Sequence, residues 1–381
     1  MKIPVTIPLC GDEEKQLLAR VVDSGWLTHG SFVEQFEHLV ARYVGAAYAV
    51  ATTSCTTAMH IALLLYGIGP GDEVIVPSYT WIATANVVRM VGATPVFADI
   101  DLATFNVTPE TIAEKITSRT KAFLPVHQLG MPLDLEGIAK VAAAHDLIVV
   151  EDAACALGSL YQQKPVGSFG NVACFSFHPR KVVTTGEGGM IVTDDERLAR
   201  RARTLTHHGA SVSDVAKHKA STMTALFAEE FVEVGFNYRM TNLQGAVGVV
   251  QMDRLEDILA RRRELAVRYS QAFEEMPHVI PPFVPEGALP NWQSYAIRVA
   301  KDSPVERNRL AQDLLDADIA CRPGLIACHT QPAYRSPDMP IKLTQTEEAL
   351  KTAILLPLYP QMTFEEQDHV LHTVASSLAR A

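Results

Sequence analysis

The sequence has no apolar run long enough to span a bilayer, no block of basic residues and no paired cysteine motif. Its longest apolar stretch, "IALLLYGIG" at 61–69, falls far short of the roughly 20 residues a transmembrane helix needs. The N-terminal "MKIPVTIPLCGDEEK" lacks an apolar core followed by a small-residue cleavage site. It therefore does not read as a secretory signal, and a cytoplasmic home is expected. With a formal net charge of −10 and no basic block to release phosphate counterions, nucleic acid and anionic membrane are not expected as partners. Cys10, Cys55, Cys155, Cys174, Cys321 and Cys328 show no C-x-x-C spacing; a reducing compartment keeps them as thiols, most of them small core residues. The 13 histidines include no H-E-x-x-H arrangement, so no metal site is signalled. What these absences leave is small-molecule chemistry.

What is present is a chain of 381 residues, 48% hydrophobic and 20% charged, enough for two globular domains with a sizeable core. Seven short apolar or β-branched runs punctuate residues 47–195: "AYAVATT", "DEVIVP", "TPVFADI", "KAFLPVH", "LIVVED", "VACFSF" and "GMIVTDD". Helix-compatible segments at 56–66, 79–91, 109–117 and 134–144 separate most of them. This alternation predicts an α/β fold with a mostly parallel sheet covered on both faces. From about 247 a long charged helix leads through a Pro-rich stretch, 278–290, to a strand candidate "SYAIRVA" and helix candidates at 305–317 and 364–379. The expected organisation is a large domain over 1–246 and a smaller C-terminal α/β domain over 247–381.

Ligands of open parallel sheets collect outside the carboxyl ends of the strands. "LIVVED" ends in Glu151 and Asp152, and "VACFSF" ends just before His178, Pro179, Arg180 and Lys181. If these strands are neighbours, Asp152 and Lys181 emerge on one rim about 5 Å apart. Such a pair is equally a plain rim salt bridge. A hydroxyl cluster, Ser54, Thr56 and Thr57, precedes the helix "AMHIALLL", whose N-terminal amides suit a phosphate. A phosphate site beside an Asp/Lys pair points to pyridoxal phosphate. A neutral lysine amine forms the Schiff base with the cofactor aldehyde and then shuttles a proton. The carboxylate keeps the pyridine nitrogen protonated, so that the ring accepts electrons; that cation should in turn depress the Asp152 pKa. A nucleotide P-loop is disfavoured, because its lysine follows the glycines whereas Lys181 precedes Gly186, Gly188 and Gly189.

Six ordered motifs extend this reading: "SGWLTHGSFVEQFE" at 24–37, "GIGPGDEVIVPSYTWIATANVV" at 67–88, "EDAACALGS" at 151–159, "SFHPRKVVTTGEGG" at 176–189, "GFNYRMTNLQGAVG" at 235–248 and "LPLYPQMT" at 356–363. Over nearly the whole chain the sequence resembles the sugar aminotransferases of the DegT group, within the fold-type I pyridoxal phosphate enzymes. The resemblance implies a fold-type I aminotransferase with a seven-stranded, mostly parallel sheet and a smaller C-terminal domain. It implies that Lys181 is the Schiff-base lysine and Asp152 the partner of the pyridine nitrogen. Thr56, Thr57 and Ser176 are implied as phosphate ligands and Trp81 as the ring stacked on the pyridine. Asn237 is implied to reach the same phosphate from the other subunit of a homodimer with a shared active site. Two positions depart from the family: Cys55 stands where glycine is usual, and Cys155 stands where glutamine often sits near the cofactor's phenolic oxygen.

The implied reaction is transfer of an amino group, with glutamate as donor, to a keto sugar, foremost a nucleotide-linked 4-keto-6-deoxy sugar. A free or phosphorylated keto sugar or cyclitol is the alternative substrate. Dehydration belongs to a branch of the family with histidine in place of the lysine, and Lys181 argues against it; a non-catalytic relative is the remaining alternative. The substrate candidates are His127, Glu187, Arg239, Arg322 and His329. Each also has a plain structural reading: a rim histidine, a turn carboxylate, helix-entry packing and solvated loop residues. His207 and His208 are candidates for the nucleotide side, and Arg180 is expected to be a structural ion-pair partner. Which sugar is taken depends on loops at 24–30, 207–230 and 322–335.

Overall fold

The computed structural model describes residues 2–212, 230–335 and 340–379. All seven expected strands form one sheet, in the spatial order Tyr48–Thr52, Gly189–Thr193, Val172–Ser176, Ile148–Asp152, Thr120–Phe123, Glu73–Pro77, Thr94–Ala98. The five strands from Val172–Ser176 to Thr94–Ala98 are parallel; Gly189–Thr193 runs antiparallel to both its neighbours, so the edge strand Tyr48–Thr52 points the same way as the five. Helices cover both faces, so the strands are buried nearly throughout, and this explains their continuous rather than alternating apolar character. The parallel register brings the carboxyl ends of Ile148–Asp152 and Val172–Ser176 to one rim as immediate neighbours, with Asp152 opposite Cys174. Part of the 207–230 loop lies outside the described residues.

The helix Cys55–Leu65 opens at that rim. Ser54 caps it: its hydroxyl accepts from Thr57 N, and the Thr57 hydroxyl returns to the Ser54 backbone. Such reciprocal capping fixes the first turn.

The expected single long helix beginning at 247 is two helices, Asn242–Asp253 and Leu255–Glu274. Arg254 between them has φ −97° and ψ −2°, and its guanidinium is held by Glu13 and Glu14 of the N-terminal helix Asp12–Ser24. Those partners lie some 240 residues away in sequence, where periodicity gives no sign of them. A second apolar cluster unites the helix Leu255–Glu274, the strands Tyr295–Val299 and Ala353–Leu356 and the helices Arg307–Asp316 and Phe364–Leu378. Ile3 joins this cluster through a parallel bridge to Ile319. Among the described residues, no helix is long and apolar enough to cross a membrane.

Arg262, fully buried, ties this region together. Its guanidinium donates to the carbonyls of Trp292, Gln293 and Leu358, and burial pulls its pKa down to about 10. Arg262→Ala would strand three carbonyls in the core and should cost about 3–5 kcal/mol. Urea denaturation measures it; a loss below about 1 kcal/mol would contradict the bracing role.

Candidate active site

Lys181 and Asp152 meet at the strand ends as expected. Lys181 Nζ lies 3.1 Å from Cys155 Sγ, and the Cys155 carbonyl is held by Asn291 Nδ2 at 2.8 Å. Asp152 is buried, and both its carboxylate oxygens are engaged: Oδ2 accepts from Thr84 Oγ1 at 2.8 Å and Oδ1 from Ala154 N at 3.1 Å. Burial raises the Asp152 pKa, and the hydrogen bonds from Thr84 and Ala154 with the charge of Lys181 offset this only in part. In the protein alone, desolvation of the carboxylate outweighs the donors around it; the depression expected from the ring cation belongs to the cofactor-bound enzyme. For Lys181 burial pulls the pKa down, but Cys155, Cys55 and Asp152 together outweigh it and leave the amine above its usual value.

The hydroxyl cluster lies at the neighbouring strand ends. Thr52, Gly189 and Ser176 stand abreast across three strands, directly beside the first turn of helix Cys55–Leu65. A Cβ on Gly189 would press into the Ser54 carbonyl and come within 2.6 Å of Cys55 N. The missing side chain is what lets the helix N-terminus approach the sheet so closely. The Thr57 hydroxyl is spent on capping, whereas the amides of Cys55 and Thr56 have no acceptor within the helix. Among the described residues the Ser176 hydroxyl accepts only from His178 N, at 3.4 Å. Cys55 does not crowd this cradle: its side chain turns into the core, with Sγ donating to the Cys174 carbonyl at 3.4 Å, and burial raises its pKa well above the ordinary thiol value.

Trp81 is 64% exposed, an unusual state for the largest apolar side chain. It follows the short strand Tyr79–Thr80 and accepts at its carbonyl from Thr84 N, so one turn of chain carries both the aromatic ring and the hydroxyl that holds Asp152. Thr84 is a site residue that the sequence reading missed. It resembles Thr56 in being a threonine in the first turn of a helix that starts at the carboxyl rim, and that placement could have found it.

The substrate candidates are dispersed. His127 is wholly buried: its Nδ1 accepts from Leu133 N at 3.1 Å, which leaves Nε2 to donate to Glu151 at 3.1 Å. Both ring nitrogens are thereby occupied by the protein itself. His329 is likewise buried, with Nδ1 at 2.6 Å from Ser78 Oγ and Nε2 3.8 Å from Glu347; burial lowers its pKa. It pins the segment Ile326–Ala327 against Tyr79–Thr80, next to Trp81. Glu187 is exposed on the turn after Lys181, near enough to His178 to raise its pKa against the lowering by burial. Asn237 is exposed in a segment pinned to residues 205–208. Arg239 contacts His207 Nδ1 at 2.6 Å, and the two line a cavity of about 450 Å³ with His29 and Arg203. Arg322 lies instead on a separate cleft with Arg180. Arg180 has no carboxylate partner among the described residues, contrary to the structural ion pair expected of it.

The sequence pattern of the DegT/DnrJ/EryC1/StrS aminotransferase family matches residues 8–375. The chain belongs to this family. Among curated proteins it is 40% identical over 380 residues to the spore coat polysaccharide biosynthesis protein SpsC of Bacillus subtilis, covering 98% of this chain and 96% of SpsC. Among solved structures it resembles S. venezuelae DesV in complex with a ketimine intermediate, at 30% identity and a TM-score of 0.90, covering 100% of this chain and 99% of that one. It also resembles the putative sugar aminotransferase Spr1654 of Streptococcus pneumoniae in its PMP form, at 29% identity and a TM-score of 0.92, covering 99% of both chains. As a member of the DegT/DnrJ/EryC1/StrS family this chain is a fold-type I, pyridoxal phosphate-dependent sugar aminotransferase.

The residues present fit that cofactor. An open helix N-terminus with Thr56 and Ser176 suits the phosphate, an exposed indole suits a ring face, and a buried carboxylate lacks only a cationic partner. Gly189→Ala should disturb the phosphate cradle by about 1–3 kcal/mol, the usual cost of overpacking. Equilibrium dialysis of pyridoxal phosphate should show weaker retention in a folded variant; unchanged retention would place the phosphate elsewhere.

Proposed function

We propose that this enzyme moves an amino group from glutamate to a keto sugar carried on a nucleoside diphosphate, foremost a 4-keto-6-deoxy sugar, as a homodimer in which Asn237 reaches the partner's cofactor phosphate. The observation that carries the reading is Lys181 Nζ beside Cys155 Sγ at the end of the strand next to Asp152. Pyridoxal phosphate, when bound, supplies the aldehyde that takes the amine and the ring that accepts electrons. Lys181 anchors the cofactor and moves the proton at its Nζ. Asp152 holds the proton of the ring nitrogen, and Thr84 keeps the carboxylate oriented. Thr56, Ser176 and the first-turn amides of helix Cys55–Leu65 bind the phosphate, and Trp81 orients the ring. A thiol this close to the working lysine suits a reducing cytoplasm. Support for a sugar substrate comes from the relatives: SpsC is named for polysaccharide biosynthesis, and Helicobacter pylori PseC, at 25% identity and a TM-score of 0.92, is described as an aminotransferase of pseudoaminic acid biosynthesis.

The test is spectroscopic. Glutamate should convert the bound cofactor to its amine form, and keto-sugar nucleotides added to that form should restore the original absorption. Restoration by free keto sugars or cyclitols alone would defeat the nucleotide-linked reading.

A further inference from the structure

A thiol and an amine face each other at the strand ends: Cys155 Sγ lies 3.1 Å from Lys181 Nζ. Among the described residues Nζ makes this one hydrogen bond and no ion pair. Each side chain is carried by a braced turn. Asn291 Nδ2 donates to the Cys155 and Leu157 carbonyls, both at 2.8 Å, and Ala156 N closes the turn on the Ala153 carbonyl at 2.9 Å. The Lys181 amide donates to the His178 carbonyl at 2.8 Å. The strands that lead into these turns pair directly, with Asp152 opposite Cys174, so the sheet itself sets the contact. Burial raises the pKa of Cys10, Cys55, Cys174, Cys321 and Cys328, which keeps those five as thiols and slow toward oxidants. Cys155 is the cysteine with a lysine amine against its sulfur, and an ammonium is the counter-ion of a thiolate, the form that attacks peroxide. Both Cys155 and Lys181 are partly exposed, so a molecule as small as peroxide reaches them.

We propose that Cys155 and Lys181 form an oxidative modification site, in which hydrogen peroxide closes a covalent Sγ–Nζ bond that a thiol reductant reopens. The Cys155 thiolate, its proton held on Nζ, attacks one peroxide oxygen. The O–O bond breaks, the sulfur keeps a hydroxyl as a sulfenic acid, and the departing hydroxide takes the proton from Nζ as water. Burial pulls the Lys181 pKa down, and the charge and hydrogen bond of Cys155 lead what raises it. Oxidation of the sulfur cancels the second influence and leaves the first, so Nζ stays a free amine with a lone pair. That lone pair attacks Sγ, the S–O bond breaks, and the hydroxyl leaves with a proton of Nζ as a second water. The sulfur has lost two electrons and one peroxide has become two waters. A dithiol reverses the step: its thiolate attacks Sγ, the N–S bond breaks, Nζ takes the proton, and the second thiol releases Cys155 while the dithiol leaves as a disulfide. The bonded nitrogen cannot take the cofactor aldehyde. That the bond disables the enzyme rests on the reading of Lys181 above as the working amine.

The test uses the holoenzyme in two states, one kept in the aldehyde form of the cofactor and one converted by glutamate to the amine form, which leaves Nζ free. Both are exposed to hydrogen peroxide, quenched with catalase, blocked with N-ethylmaleimide, digested and read by mass spectrometry. The amine form should yield the Cys155 and Lys181 peptides joined and two hydrogens lighter than their sum. The aldehyde form should yield several-fold less, and dithiothreitol should separate the pair. Transaminase activity should fall in step with the joined peptide and return with dithiothreitol. Cys155→Ser, followed relative to its own starting rate, should lose activity roughly tenfold more slowly; the mass readout on the wild type stands whether or not that variant keeps the cofactor. Cys155 found as a sulfinic acid with no joined peptide, a disulfide from Cys155 to Cys55, or an unmodified Cys155 overturns the site. A joined peptide in an enzyme of undiminished activity leaves the bond established and defeats the reading of Lys181 as the working amine.

Discussion

Lys181→Ala should lower the transamination rate roughly 10,000-fold, the upper range for loss of a positioned proton-transfer group, and should abolish the absorption band of covalently held cofactor. On the proposed reading the same amine anchors the cofactor and moves the proton, so no neighbour substitutes for it. The side chain hydrogen-bonded to Nζ, Cys155 at 3.1 Å, is a poorer base for carbon acids and carries no nitrogen. Removal of the ammonium also takes away one of the charges that hold the Asp152 pKa down, so the variant should bind cofactor more weakly as well as react more slowly. Stopped-flow measurement of the glutamate half-reaction checks this; a loss of less than about tenfold would remove Lys181 from the chemistry. Small external amines should restore part of the rate.

Asp152→Asn should cost roughly 1,000-fold in the same half-reaction. An amide is isosteric but neutral, and it cannot keep a ring nitrogen protonated. It also turns an NH2 toward either the Thr84 hydroxyl or the Ala154 amide, both of which donate to the carboxylate. The pH dependence of the cofactor-free protein has a definite sign. Burial raises the Asp152 pKa above its ordinary 3.8, so the folded state binds the proton more tightly than the unfolded chain. The carboxyl's stabilising contribution is complete below 3.8 and is lost as pH rises through the raised folded-state value. Thermal denaturation of the cofactor-free wild type should therefore show a loss on this limb that Asp152→Asn removes. Loading the cofactor, whose ring nitrogen gives the carboxylate a cation, should suppress it too. A wild type and variant with parallel pH profiles would contradict the buried-charge account.

The strands and the Asp/Lys rim were legible because both depend on local signals. Apolar runs of strand length alternate with helical segments, and ionisable residues sit where two of those runs stop. The split at Arg254 was not legible, because it follows from Glu13 and Glu14 reaching across from the N-terminal helix. Side-chain direction was equally hidden. His127 and His329 lie in segments that approach the site, yet the first turns to Glu151 and the second to Ser78, partners supplied only by the fold. Cys55 replaces the usual glycine without crowding the phosphate cradle, because its side chain faces the core, a direction that sequence does not tell. Thr84 escaped notice since its role is to hold another functional group. Arg180 is expected to be paired, yet no carboxylate among the described residues meets it, a contact that only the fold could supply.

The assignment of Lys181 as the anchoring residue can be tested without any substrate. Borohydride reduction of the cofactor-loaded enzyme, followed by proteolysis and mass spectrometry, should place the added pyridoxyl phosphate mass on Lys181 and on no other lysine. The same mass on a different lysine, or no covalent label in an enzyme that still transaminates, would contradict the account.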